Sequence, residues 1–411
     1  MVNRVVVTGY GAVTPLGLNV EDTWRNLMAG VSGVGYISLF DTTDFKVNIA
    51  AEVRDFDPVV QLDPTTARRT DRFAQFALVA SLQAIEAAGL KIDEANRYDM
   101  GVLVGSGIGG LYSLASQLGI LNTRGPSRVS PYLIPMMIAD SASSQVSIKM
   151  GIMGPNFSLI SACATGTDVL GVAYNMIKWG EIKLMVVGGA DAAVTPLGLA
   201  GFTQAGALSR NSEPQKASRP FDLERDGFVV GEGAAVLILE SLDYARSRGA
   251  NILAEIVGYG ATSDAFHITQ PLENGEAAAK AIELALANVE CHEVGYINAH
   301  GTSTPLNDAS ETRAIKKAFG DRAYEIPISS IKSMLGHMMG AAGAIEAIVC
   351  CQVINEGIIP PTINLEHPDP ECDLDYVPNV ARSGDVRLAI SNSFGFGGHN
   401  SVIAVGRYGG D

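Results

Sequence analysis

The sequence predicts an α/β fold of layered helices and sheets, built from two similar halves. Three observations predict it. Short apolar, β-branched runs alternate with alanine-rich stretches along all 411 residues. Several of those runs are apolar throughout, as strands covered on both faces must be. Finally, Thr8-Gly9-Tyr10-Gly11-Ala12 recurs as Val257-Gly258-Tyr259-Gly260-Ala261, each copy following a short apolar run.

Taken in order, residues 5–8 (Val-Val-Val-Thr) read as a first strand rather than a signal peptide, because glycine interrupts the apolar run after four residues. Strands follow at 101–104, 157–160, 184–187, 235–239, 254–257, 296–299, 326–329, 388–390 and 402–405. Helices are expected at 73–88, 167–179, 275–288, 309–319 and 341–355. The last is stopped by Gly357 and Pro360-Pro361. Residues 157–160 lead through Ser161-Ala162-Cys163-Ala164-Thr165-Gly166 into a helix. Residues 326–329 lead through Lys332-Ser333-Met334-Leu335-Gly336-His337 into another. Each half thus offers a strand, a turn of small residues, a reactive side chain and a helix. The halves meet near residue 250: 1–250 carries the cysteine and 251–411 the two histidines.

Composition narrows the function. Hydrophobic residues make up 47% and charged residues 18%, enough for a large buried core. The 45 glycines have no three-residue period, so they belong in tight turns and close backbone approaches. The net charge of −15 argues against a general nucleic-acid or anionic-membrane surface. No apolar run reaches the ~20 residues of a membrane span, since Glu346 breaks the best one. Five cysteines without a C-x-x-C pair read as a reduced, cytoplasmic protein.

Cys163 is the sharpest chemical candidate. Its small neighbours admit a substrate, and a helix starting beside it would favour the thiolate and bind an oxyanion with its first N–H groups. The other four cysteines (Cys291, Cys350, Cys351 and Cys372) read as structural. Among six histidines, His300 ends a strand and is followed by Gly301-Thr302-Ser303-Thr304-Pro305. His337 is flanked by glycine at a helix start, where a neutral ring is expected. His399 is ambiguous; His267, His292 and His367 read as structural. Cys163, His300 and His337 lie 137 and 37 residues apart, unlike any compact zinc motif, and no metal is expected. Gly105-Ser-Gly107-Ile108-Gly109-Gly110 matches the dinucleotide fingerprint, but no acidic residue occurs between Leu111 and Ala139 to hold a ribose. Its glycines are expected to line a narrow passage with Ile108 as a wall. Lys332 and Glu346 are charges in apolar surroundings, so pairing is expected. Asp308 and Glu311 are further candidates beyond the His300 loop. Arg68, Arg69 and Arg72, with Arg124 and Arg128, could form a docking patch for an acidic partner.

Together these residues resemble the β-ketoacyl-acyl-carrier-protein synthases, in particular the type II condensing enzymes of fatty acid synthesis. Ser161-Ala-Cys163-Ala-Thr-Gly166, Asn298-Ala-His300-Gly-Thr-Ser-Thr-Pro305 and Ser330-Ile-Lys332-Ser-Met-Leu-Gly-His337 carry the resemblance, which covers essentially the whole chain. It implies a thiolase-like fold with a layered αβαβα core. It implies that Cys163 is acylated, and that His300 and His337 bind the malonyl thioester carbonyl. Lys332, paired with Glu346, would order the histidines, and Asp308 would support the site. The N–H groups of Cys163 and Phe396 would form an oxyanion hole. Thr302 and Thr304 would hold the phosphopantetheine arm. Ile108, Phe202, Gly395 and Gly397 would contact substrate, with Phe396 in a gate. Arg68, Arg69 and Arg128 would dock acyl carrier protein, in a homodimer needing no cofactor. The sequence departs from relatives at His399, Gly206, Ser127 and Leu133. A polyketide-type ketosynthase and a cysteine-dependent thioester hydrolase are the competing readings.

Overall fold

The computed structural model describes residues 2–289 and 293–410. Cys291 and His292 lie outside the described residues. Ten strands form one sheet: β1 (Val5–Val13), β2 (Met100–Gly105), β3 (Asn156–Phe157), β4 (Leu184–Ala192), β5 (Glu232–Ser241), β6 (Ala254–Ser263), β7 (Val294–Asn298), β8 (Ile328–Ser329), β9 (Leu388–Gly395) and β10 (His399–Gly406). Their spatial order is β8-β7-β9-β10-β6-β1-β5-β4-β2-β3. Outward from the centre, one side runs first, fifth, fourth, second, third strand, and so does the other. The pairing senses also repeat. On each side the first two junctions are antiparallel and the next two parallel. β1 and β6 meet antiparallel at the centre, Val5 opposite Ile256.

The recurrent Gly-Tyr-Gly segment lies on these two central strands. A Cβ on Gly9 or Gly11 would overlap the backbone of helix α1 (Arg72–Ala87). A Cβ on Gly258 or Gly260 would overlap helix α2 (Glu276–Ala285) in the same way. The repeat is therefore a helix-on-strand approach too close for any side chain.

Alternate residues of each strand divide between two cores. Leu237 and Leu239 face a central layer containing helices α3 (Thr165–Lys178) and α4 (Ala342–Glu356), whereas Val236 and Ile238 face α1. In the other half Ile403 and Val405 face the centre, while Val402 and Ala404 pack outward with α2. Two outer helical layers, two sheet faces and one shared helical layer make the expected αβαβα stack. Helix α4 is buried along nearly its whole length because it lies between the two halves of the sheet.

Local departures from expectation are small. Only Asn156 and Phe157 pair at the β3 edge, and residues 158–161 turn away to reach the cysteine. Helices at Val20–Met28, Leu111–Arg124, Ser141–Met150 and Pro196–Gln204 were not expected. No described helix is long and apolar enough to cross a membrane.

Candidate active site

The cysteine sits on a strained bend. Ala162 has φ +51°, a left-handed conformation that costs ~1–3 kcal/mol for a residue with a side chain. Thr165 sustains it: its Oγ accepts the Ser161 N–H at 2.9 Å and donates to the Ala162 carbonyl at 2.8 Å. A short 3₁₀ turn, Ala162–Ala164, then opens directly into α3. Gly395 lets the neighbouring β9 approach, since a Cβ there would lie 2.7 Å from the Ser161 oxygen.

His300 stands two residues beyond the end of β7. Buried Glu311 accepts its backbone N–H at 2.8 Å and that of Gly301 at 2.7 Å. Glu311 belongs to helix α5 (Pro305–Phe319), so the helix holds the loop that precedes it. Burial pushes the Glu311 carboxyl up to about 7 despite these donors. Between them, Ser303 adopts φ +69°, and the Thr302 and Thr304 hydroxyls lie 2.9 Å apart. Asp308, also buried on α5, accepts the Phe221 N–H at 2.9 Å and faces Arg225; it supports the loop from behind.

His337 lies five residues before α4 rather than at its start. Its N–H bonds to the Val229 carbonyl at 2.7 Å, and its Nδ1 accepts the Met339 N–H at 3.2 Å. A neutral ring that accepts at Nδ1 carries its proton on Nε2. That Nε2 is buried and has no hydrogen-bond partner among the described residues. The two rings stand edge to face, 5.4 Å between centroids. Both are held far below the ordinary histidine range, first by burial and then by the positive charge of Lys332. The neutral ring expected from a helix end is thus produced mainly by desolvation. Lys332 is buried and ion-paired with Glu346 of α4.

Cys163, His300 and His337 open onto one cavity of about 400 Å³. Thr302, Thr304 and Phe202 line it, as do Gly395 and Phe396. The N–H groups of Phe396 and of Cys163 itself favour charge on the sulfur. Even so, burial raises the thiol to about 11, with Lys332 opposing. Desolvation thus works against the stabilisation of a thiolate expected from the helix end. A rise from 9.0 to about 11 corresponds to roughly 3 kcal/mol, more than the ~0.3–1 kcal/mol a helix terminus supplies. Alkylation of Cys163 by iodoacetamide should therefore climb about tenfold per pH unit from pH 7, with no plateau below about pH 9. A plateau near pH 7 would show a thiolate already formed.

Other expected residues fall elsewhere. Ile108 does not line this cavity and is 37% exposed in the single chain. Gly397 also lies off the cavity: it adopts φ +91° in the turn and donates to the Ile268 carbonyl. His267, His367 and His399 are exposed, and Cys350, Cys351 and Cys372 are buried. Arg68, Arg69 and Arg128 are exposed and form no ion pair with a described carboxylate. Arg69 stacks over Tyr132 at 5.0 Å, which brings its helix beside the segment carrying Arg128. The sequence did not reveal Phe228, whose ring meets His337 edge-on at 5.3 Å. Nor did it reveal Asp191, a buried charge in the small-residue run Gly188-Gly189-Ala190-Asp191-Ala192. A lone charge among small residues was the available signal.

The chain matches two family models: the β-ketoacyl synthase N-terminal domain over residues 2–245 and its C-terminal domain over 253–366. It is 53% identical over 408 residues to 3-oxoacyl-[acyl-carrier-protein] synthase 2 of Synechocystis sp., covering 98% of each chain. It is 50% identical over 407 residues to the enzyme of that name from Coxiella burnetii, again covering 98% of each. A type II polyketide ketosynthase, solved with its acyl-carrier protein and bound to a hexaketide, superposes with a TM-score of 0.92 at 36% identity, covering 99% of this chain and 100% of that one. A β-ketoacyl synthase from Burkholderia phymatum superposes at 0.91 with 37% identity, with the same coverage.

Proposed function

The chain belongs to the β-ketoacyl synthase family, and on that premise we propose how its residues carry out the reaction. It is a condensing acyltransferase of fatty acid elongation: an acyl thioester and malonyl-acyl-carrier protein give 3-oxoacyl-acyl-carrier protein and CO₂. The Cys163 sulfur attacks the acyl carbonyl. The bond to the pantetheine sulfur breaks, and the thiol proton leaves on that sulfur. The N–H groups of Cys163 and Phe396 stabilise the transient oxyanion. Malonyl carrier protein then places its thioester carbonyl between His300 and His337, whose neutral rings donate to it. The bond to the malonyl carboxylate breaks, CO₂ leaves, and the electron pair becomes an enolate held by those donors. Its carbon attacks the Cys163 thioester and releases the sulfur as thiolate, which takes up a proton from solvent. Lys332, held in place by Glu346, puts its charge near the rings and adds to the burial that keeps them neutral. Thr302 and Thr304 bind the pantetheine arm, Phe202 walls the cavity, and Gly395 to Gly398 form the gate around Phe396.

One observation carries this reading: a thiol and two neutral imidazoles, from opposite halves of the chain, share one cavity. The halves meet near residue 250 in this reading, and the protein works in the cytoplasm. Its test is incubation with labelled acyl and malonyl carrier proteins. A product two carbons longer is expected, with one CO₂ released. Rapid release of free acid without malonyl donor would favour the thioester hydrolase instead. Fatty acyl chains should outrun polyketide starters.

Arg68, Arg69 and Arg128 dock the acidic carrier protein. Arg69→Glu with Arg128→Glu should raise KM for carrier-borne acyl chains roughly tenfold, an effect that shrinks as salt rises. The chain also pairs with a second copy. β3 leaves one edge of the sheet unpaired, and Ile148, Met153 and Ile160 are exposed around it. Ile108 is exposed as well, and would meet the acyl chain only once a second copy covers it. Sedimentation at micromolar concentration should show a dimer; a stable monomer would remove this part.

A further inference from the structure

The glycine-rich loop Gly105-Ser106-Gly107-Ile108-Gly109-Gly110 has the form of a phosphate cradle, and its backbone does hold an anion. The anion is a side chain of the same protein. Asp191, fully buried near the end of β4, accepts the Gly107 N–H at 2.9 Å on one oxygen. Its other oxygen accepts the Ser106 hydroxyl at 2.6 Å and the Ile108 N–H at 3.3 Å. Ser106 in turn accepts the Gly109 N–H at 2.8 Å. The Ser106 hydroxyl and the N–H groups of Gly107 to Gly110 are therefore taken up within the protein and not free to cradle a phosphate.

The carboxylate has a fourth donor from the other half of the chain. The Gly340 N–H reaches the oxygen that Gly107 also uses, at 2.6 Å. Gly340 is seated so closely that a Cβ there would lie 2.5 Å from the Gly107 nitrogen and 2.7 Å from Asp191. The preceding residue, Met339, adopts φ +49°. Its N–H is the donor to His337 Nδ1 that leaves the ring proton on Nε2. A left-handed methionine does not hold its conformation unaided, and Asp191 fastens the residue immediately after it.

We propose that Asp191 is a positioning residue for condensation: it clamps the Met339-Gly340 turn of one half onto the Ser106–Ile108 loop of the other, and so fixes the donor tautomer of His337. The inference rests on the role given above to His337. Asp191 touches no substrate. It acts on decarboxylation through the turn, whereas acylation of Cys163 draws on the Cys163 and Phe396 N–H groups, which it does not hold; on Cys163 itself it acts only by its negative charge, which raises the thiol, so its removal should not slow acylation.

The test reads the two half-reactions separately. In a Cys163→Gln background, Asp191→Ala should lower kcat for malonyl carrier protein decarboxylation by about tenfold to a hundredfold, with KM unchanged within about twofold. With the native cysteine, acylation in Asp191→Ala should fall by less than about threefold. Asp191→Asn should restore most of the decarboxylation. Its amide oxygen can take the Gly107 and Gly340 N–H groups, while its NH₂ faces the Ser106 hydroxyl, which can rotate to accept. If Asp191→Ala is not recovered folded, Asp191→Ser, which leaves room for a water, is read in its place. Equal losses in both half-reactions, or an Asn variant no better than Ala, would overturn the proposal. Cys163→Gln with Asp191 intact is the control. If it fails to decarboxylate, the role of His337 falls first; if it decarboxylates and Asp191→Ala matches it, only the role of Asp191 falls.

Discussion

Cys163→Gln is expected to lose acyl transfer by about 10⁴-fold or more while continuing to decarboxylate malonyl carrier protein. The two outcomes follow from different atoms. Acylation needs a sulfur that can form and release a thioester, and an amide does neither. Decarboxylation needs donors at the malonyl thioester carbonyl, and those come from His300 and His337 on the other half of the chain. The glutamine side chain also places a carbonyl where the N–H groups of residue 163 and Phe396 converge, as an acylated cysteine would. The site should therefore resemble the acyl-enzyme. Transfer of a labelled acyl group to protein and release of CO₂ measure the two steps independently. A variant that still became acylated would show that another residue is the nucleophile.

His337→Ala is expected to lower decarboxylation by ~10²–10³, the usual loss of one preorganised donor at a developing oxyanion. His300→Ala should cost a similar factor. The pair together should cost less than the product of the two, because one enolate oxygen is served by both rings. The pH dependence separates a neutral donor from an imidazolium. Both rings are held well below their ordinary value of 6.5 by burial and by Lys332. A lowered histidine value means protonation is delayed on acidification. Decarboxylation by Cys163→Gln should thus stay level from pH 8 down to pH 6.5 and decline only below it. A rate that rises as pH falls through 6.5 would mean that the charged ring is the active form.

Much of the fold was legible because it depends on local pattern. The fully apolar runs at 184–187 and 235–239 mark strands covered on both sides, and they became β4 and β5. The Gly-Tyr-Gly echo marks the two central strands because the glycines meet a helix backbone in both. Boundaries were less legible. Residues 158–160 continue an apolar run, yet they leave the sheet so that the chain can reach Ala162 and Cys163. The helix Leu111–Arg124 carries leucines at 111, 114, 118 and 121, a helical spacing, but the last three face outward, where a core-seeking pattern does not look for them. Within the site, Cys163, His300, His337, Lys332 and Glu346 were legible as reactive or isolated charged residues among small ones. Ile108 stays off the cavity within a single chain, because a side chain beside a glycine-rich loop can point either way.

The amino-acid sequence alone determined the chemical inventory: one accessible thiol, two histidines at glycine-bounded turns, a lysine and a glutamate with apolar neighbours, and a chain built twice. Such features are local, set by small side chains, left-handed turns and apolar periodicity within a dozen residues. Only the tertiary structure decided what state each group is in and what it touches. Burial opposes charge on the thiol and on both rings. A carboxylate 149 positions from Gly340 fastens the turn beside His337. Desolvation and contacts between distant segments arise when the two halves close around a shared cavity, and no window of sequence contains both sides of it.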